Sequence, residues 1–150
     1  MSRKEIYAWC SLGISVSILG YYSLSVFGLP AGVEAYEEQI TGILWKVLVV
    51  AFLVELGLDL LNSGSLSGVA KDERDMLIES KAFRNAYYFL IFAIISVVMN
   101  VFISDYLSTA SGEVLMLSMP FMTLHVLVLV LFAALLIKAA TQIFYYQRGV

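Results

Sequence analysis

Glu55 and Asp59 are the side chains best suited by type to move a proton or hold a cation, because they stand four apart inside an apolar run. On a helix that spacing puts both carboxylates on one face. An ionised carboxylate at membrane depth costs about 3 kcal/mol unless it is paired or hydrated. Lys138 sits at a comparable depth in a later apolar run, so a Glu55–Lys138 pair is expected. It serves either as a packing salt bridge or as one station of a proton or cation path. Asn100 and His125 share a depth nearer the other edge, on consecutive runs, which predicts an interhelical hydrogen bond of roughly 0.6–2 kcal/mol. The alternative for His125 is an axial haem ligand. Met116, Met119 and Met122 share one face and read as apolar filler, with a thioether copper site as the alternative. Cys10 is the only cysteine and His125 the only histidine, which rules out an internal disulfide and argues against a Cys/His metal centre. The sequence has no nucleophile–base pair and no Gly-rich phosphate loop. The reading is therefore non-enzymatic, with no catalytic residues, no cofactor and no metal.

The elements that must position these groups are four apolar stretches, at about residues 6–27, 42–61, 86–103 and 117–137. Each approaches the ~20 apolar residues that cross a ~30 Å hydrocarbon core. The chain is 61% hydrophobic and only 14% charged, against the roughly 25% charge of soluble domains. Mean hydropathy is +0.88. The predicted fold is all-α: a single integral-membrane domain, 1–150, forming a four-transmembrane-helix bundle of two antiparallel hairpins. The first stretch reads as a retained helix and not a cleaved signal peptide. Val33, Tyr36 and Ile40 recur at helical spacing, which predicts a short interfacial helix at 33–40. Residues 62–69 are rich in Ser and Gly and read as a loop, and Pro120 falls in the first turn of the fourth helix.

The basic residues orient the bundle. Arg3, Lys4, Lys71, Arg74, Lys81, Arg84, Lys138 and Arg148 fall on one side, and Lys46 alone lies near the other, in the first turn of the second stretch. The two opposite loops carry only Glu34, Glu37, Glu38, Asp105 and Glu113. By the positive-inside rule both termini are cytoplasmic (N-in and C-in). The expected location is a prokaryotic inner membrane, with membrane lipid as the first partner. Net charge is −3 and there is no basic stripe, so direct nucleic-acid binding is not expected. Cys10, Gly13, Ser17 and Gly20 form one small-residue face on the first helix, and Ala82, Ala86, Ala93 and Asn100 one on the third. Such faces let helices approach closely, either within the bundle or across a homodimer seam.

The most distinctive segment is 71–85, where composition turns abruptly to charge. It contains Lys71, Asp72, Glu73, Arg74, Asp75, Ile78, Lys81, Ala82 and Arg84. Asp75, Ile78, Ala82 and Asn85 fall on one side of a helix, and Lys71–Asp75 is the one obvious i,i+4 ion pair. The segment is expected to continue directly into the third membrane helix. It serves as a head-group anchor, as a docking surface for a cytoplasmic protein or a second copy, or as a ligand site. Asp72-Glu73-Arg74, Ile78 and Lys81-Ala82 before a membrane helix resemble the DUF2178-type family of small multi-pass membrane proteins. That family carries no assigned activity. Some of its members resemble membrane partners of small helix-turn-helix regulators, so the resemblance implies a sensor or sequestering partner. The leading expectation is a membrane protein that acts by protein–protein interaction through this segment. The alternatives are an oligomeric channel or transporter lined by Glu55 and Asp59, and an accessory subunit of a larger membrane complex.

Overall fold

Apolar runs without internal proline become long helices, because in lipid each backbone N–H and C=O must be satisfied within its own segment. The computed structural model describes residues 3–27, 33–64, 73–111 and 122–148, and all of them are helical. The helices are α1 (Arg3–Phe27), α2 (Val33–Gly64), α3 (Glu73–Ser111) and α4 (Met122–Arg148). Each contains a stretch long and apolar enough to cross a membrane.

Two boundaries in particular differ from the sequence reading. Residues 33–40 are the first turns of α2, not a separate interfacial helix. No proline or tight-turn signal interrupts the chain there, and Gly42 is tolerated inside the helix. Lys46 consequently lies thirteen residues into α2 and not in its first turn. At the other end of the bundle α4 runs on to Arg148, which places Lys138 well inside the helix. Pro120, Met116 and Met119 lie outside the described residues. From Glu73 onward the charged segment does run unbroken into the membrane-spanning part of α3, whose 39 residues span about 58 Å at ~1.5 Å per residue.

The helices pack in the order α2–α1–α4–α3, and α2 and α3 make no backbone contact among the described residues. Both expected hairpins are therefore present, and α1 against α4 is the third packed pair. The core is built from Tyr22 and Val26 of α1, Ile40, Val47 and Ala51 of α2, and Val128 and Phe132 of α4. Phe132 is fully buried at its centre. α3 contributes buried residues only in its first turns, Ile78 and Ala82. None of its most apolar stretch is buried. Phe92, Val98 and Phe102 point outward, as they would toward lipid acyl chains.

The small-residue faces divide. On α3, Ala82 is buried and Ala86 and Ala93 are half-buried, but Asn100 is exposed. On α1, Cys10, Gly13, Ser17 and Gly20 all face out of the bundle. A Cβ added to Gly13 or Gly20 would meet nothing within 4 Å. The α1 stripe does not serve packing within one chain. Ser17 Oγ instead donates to the Gly13 carbonyl at 2.8 Å, which satisfies a hydroxyl that faces lipid.

Candidate functional site

The four helices converge at the end of the bundle that holds both termini. There they line a cavity of about 40 Å³. Its wall comprises Lys4, Tyr7, Ala8 and Ser11 of α1, Glu55 and Leu58 of α2, Glu79 of α3, and Lys138, Gln142 and Tyr146 of α4. A space of that size takes about three waters, at ~10–15 Å³ each.

Two ion pairs frame it. Lys138 Nζ lies 3.4 Å from Glu55 Oε1, the contact expected from their matching depth. Lys4 Nζ lies 3.3 Å from Asp75 Oδ2. These pairs join α2 to α4 and α1 to α3, the two diagonals of the bundle, which have no backbone packing of their own. Side-chain exposures of 11–23% keep both pairs partly shielded from solvent. The aromatic residues of the same end add to the frame. Tyr146 Oη donates to Asp75 Oδ1 at 3.3 Å, so Asp75 ties α1, α3 and α4 together. Lys81 Nζ stands 4.6 Å from the Tyr145 ring centroid, and Lys138 Nζ 4.7 Å from that of Phe83. Cations over ring faces at this distance are attracted by the ring quadrupole.

Several sequence expectations need correction here. Asp75 has a partner that the sequence did not point to, Lys4 of α1; the expected Lys71–Asp75 pair and Asp72 lie outside the described residues. Asn85 faces outward and does not share the packed side with Ile78 and Ala82. The helix turns 100° per residue, so Asn85 sits at the edge of the stripe, where α4 no longer covers it. The backbone of Asp59 lies one turn beyond Glu55 on α2, and its side chain is outside the described residues.

The expected Asn100–His125 bond does not form. Asn100 is exposed on α3, whereas His125 is buried on α4. His125 Nδ1 instead lies 2.7 Å from Tyr22 Oη of α1. The rings are tilted by 49°, with centroids 6.1 Å apart. The tyrosine donates when the ring proton is on Nε2, and the imidazole donates when it is on Nδ1. Matching depth pointed to Asn100, and the α1–α4 contact brings Tyr22 to the ring instead. Replacing Tyr22 with phenylalanine should cost about 1–2 kcal/mol, because it removes a partner from a buried ring nitrogen. Unfolding of the purified protein in mixed micelles measures this.

The polar space does not cross the bundle. Beyond Ser11 and Glu55 it narrows to about 10 Å³ between Ser15, Ala51, Phe132 and Leu135. That is at the lower limit of the ~10–15 Å³ one water needs, and its lining is mostly apolar. Phe132 therefore stands between the charged cavity and the Tyr22–His125 pair. Among the described residues no buried polar side-chain atom lacks a hydrogen-bond partner, and no three His, Cys, Asp or Glu side chains are grouped to hold a metal ion. Opposite charges within the cavity are matched, which suits it to holding helices together and to admitting water as far as Glu55. The sequence reading missed Lys4, Tyr7, Gln142 and Tyr146 as wall residues. Their only signal was position: each lies on the predicted cytoplasmic edge, at a helix end.

Fold and site together define an integral membrane protein, a four-helix bundle tied at one end by a charged cluster. Comparison with protein-family models, with curated proteins and with solved structures returned no match.

Proposed function

We propose that this protein acts by interaction, presenting the head of α3 on the cytoplasmic side of a prokaryotic inner membrane to a soluble protein partner. The observation that supports this is the two-sidedness of the segment that begins α3. Its inner side, Asp75, Ile78, Glu79 and Ala82, is half-buried or buried against the rest of the bundle. Its outer side exposes Glu73, Arg74, Met76, Leu77 and Arg84. Met76 and Leu77 are 51% and 62% exposed, an apolar centre rimmed by charge. Protein interfaces share that anatomy, and methionine adapts to varied partners. The positive-inside rule places this end in the cytoplasm. Glu73, Arg74, Ile78, Lys81 and Ala82 of these turns belong to the stretch that resembles the DUF2178-type motif, so sensing or sequestering a regulator belongs to this reading, as does service as an accessory subunit. The reading is non-enzymatic, and DNA is not contacted directly.

A photo-crosslinking amino acid at Leu77 should yield a discrete protein adduct in cells, and one at lipid-facing Phe92 should not. Leu77→Asp combined with Arg84→Glu should weaken the adduct at least tenfold while the protein still elutes as before in detergent. Equal crosslinking from both positions would remove the reading.

A channel or transporter is the second reading, favoured by the open cavity beside Glu55. It requires an oligomer or a movement of Phe132, since the polar space ends there. Glu55→Gln would abolish flux in proteoliposomes if this reading holds and leave partner capture intact if the first does.

A further inference from the structure

On the opposite half of the bundle, α1 and α2 leave a groove open to the surrounding membrane. It has a volume of about 440 Å³ and is lined by Ser17, Ile18, Tyr21, Lys46, Val47 and Val50. Ligand sites typically fall in the range of about 300–1,000 Å³. Because α1 and α2 are antiparallel, the groove has a polar end and an apolar end. Tyr21 and Lys46 both lie toward the end of the bundle away from the termini. Ile18, Val47 and Val50 continue from them toward the middle of the membrane. Trp45 is 66% exposed and Tyr21 55% exposed, as aromatic side chains are at the head-group level.

Lys46 is the basic residue that the topology isolates from all others. It is exposed, and no described residue pairs with it. A lone ammonium beside an apolar groove is complementary to an amphipath with an anionic head and an acyl tail. Among the described residues the groove wall contains one cation and no carboxylate, which favours an anionic head group over a zwitterionic one.

We propose that this groove is a binding site for one anionic phospholipid of the leaflet away from the termini. Its phosphate sits on Lys46 and the Tyr21 hydroxyl, and one acyl chain lies along Ile18, Val47 and Val50. The proposal is independent of the α3 docking surface, because the two lie on different helices and at opposite ends of the bundle.

Native mass spectrometry of the full-length protein, released from mixed micelles with phosphatidylglycerol or phosphatidylcholine, tests this directly. One phosphatidylglycerol per chain should be retained in preference to phosphatidylcholine. Lys46→Gln should weaken that retention roughly five- to tenfold, the scale of one basic residue at an anionic surface, and Lys46→Arg should preserve it. Val50→Trp should displace the lipid by filling the groove while leaving the charge in place. Unchanged thermal unfolding of the lipid-free variants shows that the fold survives. Equal retention of the two lipids, or retention indifferent to both Lys46→Gln and Val50→Trp, overturns the proposal.

Discussion

Replacing Phe132 with alanine is expected to destabilise the bundle by about 3 kcal/mol, the largest effect of any single truncation in this chain. The ring is fully buried in a core that also holds side chains of α1, its neighbour, and of α2 across the diagonal. In lipid the helices gain little from the hydrophobic effect on association, since acyl chains are as apolar as leucine. What Phe132 supplies is dispersion contact with a close-packed surround, and a cavity there forfeits those contacts outright. Phe92 on α3 is the matched control. It is 72% exposed, and Phe92→Ala exchanges one lipid-facing surface for another at a cost near zero. Reversible unfolding in detergent–lipid micelles measures both variants. Similar costs for the two would mean that α3 packs more deeply than its exposed surface indicates. Phe132→Ala should also open the charged cavity toward the Tyr22–His125 pair, so increased water access to His125, read by hydrogen exchange, is a second readout.

Lys138→Met should cost about 2–3 kcal/mol, and the double variant Glu55→Leu/Lys138→Met should recover most of that loss. A shielded ion pair gains little over apolar residues of similar volume, because desolvation offsets the Coulombic attraction. Removing one partner is different, since the remaining carboxylate loses its cation in a partly shielded cavity where only a few waters can replace it. The Glu55–Lys138 contact is the only ion pair found between α2 and α4 among the described residues, and α2 and α3 make no backbone contact there. Loss of the pair should therefore loosen α2 in particular. Double-mutant cycles give the coupling, and cysteine accessibility along α2 locates the opening. Additive single effects would show that the two side chains are not coupled in the membrane. Because Lys138 also lies over the Phe83 ring, Lys138→Arg should retain part of the stability that Lys138→Met loses.

Much of this protein follows from the order of its residues alone. Four unbroken apolar runs in a chain with 14% charge can satisfy their backbones in lipid only as helices. Helix number, hairpin pairing and membrane residence are therefore local properties of composition. The Glu55–Lys138 contact was also legible, because depth from the same edge can be counted along each run. Depth does not specify rotation about the helix axis or which helix lies beside which. Depth pointed to Asn100 as the partner of His125, and α1 packing against α4 brought Tyr22 to it instead. The same contact set determined that Asp75 meets Lys4 across a diagonal, that the small-residue face of α1 looks outward, and that α2 and α3 stay apart. These are choices among helix faces with nearly equal hydrophobicity on every side. In lipid such faces are distinguished by shape and by polar pairing, so only the tertiary structure resolves them.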